Sequence, residues 1–309
     1  MRSSKSKTKL KPKVDAPTVY SFEAIGTQWT IEIFETFEPC QAEALLATIK
    51  RRIVRFDQHY SRFRPDSLVS WIAQGPGTYR LPPDGRVLFD LYKKLYAITE
   101  GKVTPLIGNL LHDAGYDAKY SLQQKERLRE VPKWGAVLKY DFPMLTTTEP
   151  VILDFGAVGK GYLVDIIGAL LRARGIKHFS VNAGGDILVC GSQDKPLAVG
   201  LEHPDDTSLA IGVAMLAKGS LCGSAGNRRT WSGFTHIMDP GEQSSPTHIK
   251  ALWVYAENAM LADALSTCLF FVSPQELGRH FTFEYAIVKQ DNSLVYSKDF
   301  PADFFETEN

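Results

Sequence analysis

The stretch HFSVNAGGDILVCGSQDKPLAVGLEHPDDTSLAIGVAMLAKGSLCGS, residues 178–224, alternates short apolar segments with turn-forming residues. Its candidate strands are FSVN, DILVC, LAVGL, AIGVAML and GSLCG. Strands that follow one another in runs, with few and separate helices, are typical of an α+β protein and not of a doubly wound parallel sheet. The sequence therefore predicts an α+β fold with mixed or antiparallel sheets.

Helices are predicted on both sides of this run. Apolar residues recur every three or four positions in the segments 45–60, 88–98, 163–171 and 258–271. Gly101 and Gly175 are placed to end two of these helices. Because no internal repeat or linker is visible, residues 18–309 are predicted to form one domain in which a few helices pack on the sheets.

Further strands and loops complete the predicted order of elements. Strands are predicted for residues 29–33, for VILDF at 151–155 and for ALWVYA at 251–256. A closing hairpin is predicted from YAIVKQ and SLVYS. A loop rich in Gly and Pro is expected at 75–85, and irregular or partly helical structure at 119–133.

Overall composition narrows the class of protein. The 309 residues carry no net charge, and 44% are hydrophobic and 23% charged, which is ordinary for a globular protein. This balance gives no reason to expect a nucleic-acid partner. The four cysteines are scattered without a CxxC pair, so reduced and mostly buried thiols are expected instead of a zinc site or disulfide framework.

The first residues, MRSSKSKTKLKPK, are basic and almost without apolar side chains. Residues 1–17 are therefore predicted to be a disordered basic tail, with an electrostatic contact to anionic lipid or RNA as the alternative. A secretory signal needs an apolar stretch after its basic start, and none follows. No run is apolar enough to span a bilayer, so a cytoplasmic location is expected.

A glycine-rich loop, LDFGAVGKGYLVD at 153–165, follows a predicted strand and opens a predicted helix. Glycines allow a ligand to approach the backbone, and the first N–H groups of a helix can bind phosphate. Lys160 would add a cation there, and Asp154 could accept a hydrogen bond from a ring or ribose. The spacing is not that of a P-loop, and a tight turn with a surface lysine is the structural alternative.

Two shorter motifs contain further candidates. NAGGD, at 182–186, is either a simple turn or a place where a ligand lies against bare backbone. HIMDP, at 236–240, contains His236, which is either structural or a general base or phosphate ligand. Arg228 and Arg229, shortly before it, could also pair with phosphate.

The motif ADALST, at 262–267, lies on the last predicted helix. Asp263 and Thr267 are four residues apart, so their side chains project from the same helical face. A carboxylate and a hydroxyl are hard oxygen ligands that suit Mg²⁺ when phosphates and water complete its shell. An ordinary polar stripe is the alternative, although a carboxylate in an apolar run needs a partner.

In this order, the motifs resemble those of the ApbE family of FAD:protein FMN transferases. Three more segments contribute to the resemblance, namely IGTQW, YSRFRPDSLVSW and TEGKVTPLIGNLL. Phe63 stands where the family has a tyrosine. Lys102, Val103 and Thr104 stand where it usually has Ala-Phe-Asp. The resemblance extends from about Gly26 to the closing hairpin.

The resemblance implies an α+β fold that binds FAD in a cleft, with Mg²⁺ at the pyrophosphate. It implies transfer of FMN to a Thr or Ser hydroxyl of an acceptor flavoprotein, with release of AMP. The implied metal ligands are the Ala157 carbonyl, the Asp263 carboxylate and the Thr267 hydroxyl. The implied FAD contacts are Ile25, Phe63, Lys102, Val103, Thr104, Asp154, Lys160 and Ile237, and His236 is the candidate catalytic base.

Two other activities are compatible with the same motifs. An FAD pyrophosphatase would use water in place of the hydroxyl and yield free FMN and AMP. A non-catalytic FAD-binding protein would hold the dinucleotide without releasing AMP, and the altered segment at 102–104 is the sequence feature that keeps this alternative open.

Overall fold

The computed structural model describes residues 17–35, 39–191, 195–226 and 230–305. Almost all of the predicted basic tail, together with Arg228 and Arg229, lies outside the described residues. The domain boundary at residue 18 stays a prediction.

The described residues form fourteen strands and eight α-helices. The strands are β1 (Thr18–Ala24), β2 (Thr27–Ile33), β3 (Gly77–Arg80), β4 (Leu138–Asp141), β5 (Met144–Thr147), β6 (Phe179–Ala183), β7 (Asp186–Cys190), β8 (Leu197–Glu202), β9 (Ala210–Leu216), β10 (Lys218–Ala225), β11 (Ile249–Ala256), β12 (Glu284–Lys289), β13 (Leu294–Tyr296) and β14 (Ala302–Phe304). The helices are α1 (Pro39–Tyr60), α2 (Leu68–Ile72), α3 (Gly85–Ile98), α4 (Gly108–Asp113), α5 (Trp134–Val137), α6 (Gly159–Arg172), α7 (Ala259–Cys268) and α8 (Pro274–Leu277).

The strands form one large sheet and two small ones. The large sheet has eight strands in the order β1-β2-β6-β7-β10-β11-β12-β13, and the small sheets are β14-β9-β8 and β3-β5-β4. Neighbouring strands are antiparallel throughout these ladders. The predicted α+β fold is therefore confirmed, and its sheets are antiparallel.

The large sheet is covered on both faces. Helix α6 contacts β6 and β7, and α7 contacts β10 and β11, so the main core lies between helices and sheet. Leu188 of β7 points into this core, whereas its neighbours Ile187 and Val189 belong to a second apolar cluster with β8, β9 and β10. This alternation follows from the two-residue period of a strand and places the small sheet β14-β9-β8 on the opposite face.

Most predicted elements are confirmed. The five strand candidates between 178 and 224 are β6 to β10, and the predicted helices correspond to α1, α3, α6 and α7. Gly101 and Gly175 follow two of these helices with φ of +87° and +80°. The closing hairpin is β12–β13.

Two predictions are wrong. VILDF is extended but has no strand partner among the described residues, because Val151, Leu153 and Phe155 fill the core between helices without forming a ladder. Alternating burial reports which side chains face the core, and it does not require a neighbouring strand. The predicted loop at 75–85 contains β3, which pairs with β5 through partners that its own sequence does not reveal.

Candidate functional site

A cleft of about 1120 Å³ opens where the large sheet, α6 and α7 meet the segments before α4. Pockets for drug-sized ligands occupy roughly 300–1,000 Å³, so this cleft has room for a dinucleotide. It is lined by all twelve residues that the family resemblance implies: Ile25, Phe63, Lys102, Val103, Thr104, Asp154, Ala157, Lys160, His236, Ile237, Asp263 and Thr267. The structure brings these residues together, and the roles assigned to them stay predictions.

Two turns bring the amino-terminal hairpin and the NAGGD motif to the same end of the cleft. The backbone N–H of Gly184 donates to the carbonyl of Gln28 at 2.9 Å. Gly184 has a φ of +61°, and a Cβ there would collide with the side chain of Thr27. Glycine is therefore required for this close approach, which places Thr27 and Gly184 side by side in the lining of the cleft.

Lys160 lies in the first turn of α6, after the glycine loop. Its ammonium group forms an ion pair with Asp186, a buried residue in the first position of β7. Burial alone would lower the pKa of Lys160, but the carboxylates of Asp186 and Asp263 raise it to about 12. Lys160 therefore stays a cation at physiological pH, with one negative partner already in contact.

Helix α7 is held against α6 by hydrogen bonds to its amino-terminal turn. Asp165 of α6 accepts from the backbone N–H groups of Ala259 and Met260 at 2.9 and 2.8 Å. The Asn258 side chain accepts from Leu261 N–H at 2.9 Å as the N-cap. These contacts fix the rotation of α7, and its ADALST face lines the cleft.

Asp263 is 6% exposed, and its Oδ2 atom accepts from the Gly161 N–H at 2.8 Å. Burial raises the pKa of Asp263 well above its usual value, and the negative charge of Asp186 adds to the effect. Thr267 lines the cleft one helical turn further on. An acidic side chain and a hydroxyl are thus presented to the cleft beside the loop that contains Ala157.

One atom near these acids has no partner. Asp186 Oδ1 is buried and accepts no hydrogen bond among the described residues. Buried carboxylate oxygens are normally satisfied, so Asp186 Oδ1 is an exception, although Asp186 itself does not line the cleft. Within the described ranges, no group of three or more His, Cys, Asp or Glu side chains is arranged to hold a metal ion.

The other end of the cleft has an aromatic wall. Phe63 stacks with Tyr120 at a ring-centre distance of 5.2 Å and meets Tyr116 edge-on at 5.4 Å. Tyr116 in turn stacks on Trp231 at 5.6 Å. Asp154 accepts from Arg62 Nε at 2.5 Å and from Gly156 N–H at 2.7 Å, so it joins this wall to the glycine loop.

The segment at 102–104 is tied to the HIMDP loop. Lys102 Nζ lies 2.8 and 2.6 Å from the two carboxylate oxygens of Asp239. The Val103 N–H donates to Thr99 Oγ1 at 2.9 Å, and Thr104 Oγ1 accepts from Leu106 N–H at 3.2 Å. Lys102 thus connects its segment to the loop that contains His236. The alanine that the family usually has at this position could not form this ion pair.

The irregular segment at 117–133 covers the aromatic wall and is anchored by a buried acid. Asp113 accepts from Arg129 at 2.5 and 2.7 Å and from Lys125 at 2.8 Å. Burial opposes ionisation of Asp113, but these partners lower its pKa from the usual 3.8 to about 2. The anchor therefore contributes stability above pH 3.8 and loses it as pH falls through about 2.

We expect Asp113→Asn to lower the free energy of unfolding by about 2 kcal/mol at neutral pH, because charge-assisted hydrogen bonds are lost. Urea titrations of both proteins at several pH values check this, since the difference should shrink as the pH approaches 2. Asp66→Asn, which removes an exposed partner of Arg64, is the matched control and should change little. An equal loss for Asp113→Asn at pH 7 and at pH 2.5 would contradict the assignment.

Three residues that line or support the site were not identified from the sequence. Asp186, Arg62 and Asp165 form their contacts with residues 26, 92 and 94 positions away. Asp186 and Arg62 lie inside motifs quoted above, so the signal that could have found them was a charged residue beside a predicted ligand-binding position.

Two predictions about the whole chain can be compared with the structure. Cys40, Cys190, Cys222 and Cys268 are free thiols, of which the last two are buried. None of the helices in the described ranges has both the length and the apolar composition needed to cross a bilayer.

The fold is shared with solved flavin transferases. Flavin transferase ApbE from Vibrio cholerae superimposes with a TM-score of 0.77 at 19% identity, covering 92% of this chain and 98% of that one. The flavinyl transferase ApbE of Pseudomonas stutzeri gives 0.75 at 19% identity, covering 94% and 98%. These likenesses define the class of fold.

The sequence comparison identifies the family. A match to the ApbE family covers residues 25–285, and this chain belongs to that family. The FAD:protein FMN transferase of Rhodobacter capsulatus is 25% identical over 275 residues, which is 84% of this chain and 52% of that protein. This chain thus spans about half the length of that relative. The Haemophilus influenzae enzyme of the same name is 23% identical over 281 residues, 82% of this chain and 79% of that protein.

Proposed function

We propose that this chain transfers the FMN half of FAD to a Thr or Ser hydroxyl of an acceptor flavoprotein, in a magnesium-dependent reaction that releases AMP. One observation carries the proposal: all twelve residues that the family resemblance implicates line one cleft. They come from positions as distant as Ile25 and Thr267, so no local sequence effect explains their meeting. Relatives at 25% and 23% identity are named for the same activity.

The cleft suits FAD in both shape and charge. Phe63, Tyr116 and Tyr120 line the cleft together and provide apolar surface against which a flat heteroaromatic ring can pack. At the other end, the Lys160 ammonium group suits a pyrophosphate.

The acids beside Lys160 fit a divalent cation. Burial and the negative charge of Asp186 raise the pKa of Asp263, so a cation bound beside this carboxyl group would favour its ionised form. We propose that the Ala157 carbonyl, Asp263 and Thr267 hold Mg²⁺. When bound, the ion would neutralise charge on the pyrophosphate and on the departing AMP.

The chain's own residues then have distinct tasks. The acceptor hydroxyl oxygen forms a bond to the FMN phosphorus, and the bond from that phosphorus to the AMP oxygen breaks. Lys160 stabilises the negative charge on the phosphates, because the neighbouring carboxylates keep it protonated. His236, which lines the same cleft, is proposed to accept the hydroxyl proton.

The decisive test is to incubate the purified protein with FAD, Mg²⁺ and a candidate flavoprotein. We expect the acceptor to gain the mass of FMN less one water and to give a flavin-fluorescent band on a denaturing gel. EDTA should prevent both changes. Free FMN and AMP without labelled acceptor would favour the pyrophosphatase, and tight FAD binding without AMP would favour the non-catalytic alternative.

The cytoplasmic location predicted from the sequence stays a prediction. Fractionation of cells, followed by detection of the intact chain, tests it directly.

A further inference from the structure

Arg62 is a buried arginine with an unused donor. Its side chain is 4% exposed, and two of its three nitrogens have partners. Nε donates to Asp154 Oδ2 at 2.5 Å, and Nη1 donates to the Tyr116 carbonyl at 2.7 Å. The third nitrogen, Nη2, is buried and donates to no described residue.

The guanidinium lies within the aromatic wall. Its central carbon is 4.2 Å from the ring centre of Phe63 and 4.9 Å from that of Tyr116. Arg62, both of these aromatic residues and Asp154 line the cleft. The two hydrogen bonds and the two rings fix the orientation of the guanidinium, so Nη2 is a rigid donor.

A buried charged donor without an acceptor is costly, and native proteins normally satisfy such groups. Asp154 already uses Oδ1 for Gly156 and Oδ2 for Arg62 Nε. An acceptor supplied by a ligand would therefore satisfy Nη2 without breaking a contact of the free protein.

We propose that Arg62 is a substrate-binding residue whose Nη2 donates a hydrogen bond to an acceptor atom on the edge of a heteroaromatic ring of FAD. The inference rests on the proposed function. The phosphates are assigned to the Lys160 end of the cleft, whereas Arg62 lies against the rings of Phe63 and Tyr116. A ring carbonyl or ring nitrogen of the isoalloxazine or the adenine is the chemistry that such a donor recognises.

The test is the affinity of Arg62→Lys for FAD, measured by calorimetry without acceptor protein. Lysine can keep the ion pair with Asp154 but cannot present the third nitrogen. We expect the dissociation constant to rise about tenfold, the effect of one lost hydrogen bond to a charged donor. If Arg62→Lys binds FAD as tightly as the unchanged protein, the inference is overturned while the proposed function stands.

Arg52→Lys is the matched control. Arg52 is also paired with a carboxylate, that of Asp84, and has a buried Nη1 atom without a partner, but it does not line the cleft. Its substitution should leave FAD affinity unchanged. Thermal unfolding of the ligand-free proteins verifies that each is folded. Arg62→Gln is the second variant, and we expect at least the same loss of affinity.

Separate titrations with FMN and ADP identify the ring. If Arg62→Lys loses affinity for FMN alone, the contact is assigned to the isoalloxazine. If it loses affinity for ADP alone, the contact is assigned to the adenine. Equal losses of affinity for FMN and ADP would show that Nη2 donates to a phosphate, and they would overturn the ring-edge contact. An unchanged protein that binds no FAD at all would overturn the proposed function and this inference together.

Discussion

Asp263→Ala is expected to lower magnesium-dependent FMN transfer at least about a thousandfold, because it removes the one carboxylate proposed to hold the cation. The fold should survive, since the substitution also removes an acid that burial makes costly to ionise. Initial rates at increasing Mg²⁺ concentration, with acceptor labelling as the readout, measure the effect. An active Asp263→Ala protein with unchanged magnesium dependence would refute the metal assignment.

Asp165→Asn provides the matched control for this experiment. Asp165 is a second, half-buried acid between α6 and α7, and burial raises its pKa to about 6, but it does not line the cleft. We expect Asp165→Asn to reduce stability through its hydrogen bonds to Ala259 and Met260. Its dependence on magnesium concentration should stay that of the unchanged protein.

Gly161→Ala is expected to have the largest effect on folding. A Cβ at this position would collide with the Ala259 carbonyl oxygen and lie 2.7 Å from Cβ of Asp263. Backbone cannot move aside as a flexible side chain can, so α6 and α7 would have to separate. We expect a loss of about 3 kcal/mol in the free energy of unfolding, together with loss of transfer activity.

Gly159→Ala, on the same helix, is the control for this clash. A Cβ there would meet its nearest neighbour, Phe155 Cβ, at 3.5 Å, which is ordinary contact. Urea unfolding should therefore show a change of less than about 1 kcal/mol for Gly159→Ala. Equal stability losses for the two variants would show that helix contact at Gly161 is not the cause.

Local patterns were sufficient to predict much of the fold. Trp29, Ile31 and Ile33 alternate in sequence and are fully buried in β2, because the two-residue period of a strand is set by the backbone itself. The same reasoning found the helix over 45–60, whose apolar stripe faces the core. Such patterns depend on neighbours in the chain and are therefore visible without the structure.

Contacts between distant segments were not predictable in the same way. VILDF has the composition of a strand, yet the surrounding helices leave it no ladder partner among the described residues. The Lys160–Asp186 and Lys102–Asp239 ion pairs join segments 26 and 137 positions apart, and no local rule specifies either pairing. The motifs predicted which residues line the cleft, whereas the ion pairs that those residues form could be identified only in the folded structure.

The order of the strands in the large sheet has a consequence for biosynthesis. Strand β2 is made early but pairs with β6, and the ADALST helix follows only after residue 258. A nascent chain still attached to the ribosome therefore lacks a complete cleft until almost the whole polypeptide has emerged. Fragments that end before residue 258 lack the wall of the cleft that Asp263 and Thr267 of α7 supply, so premature termination yields products with an open, incomplete site.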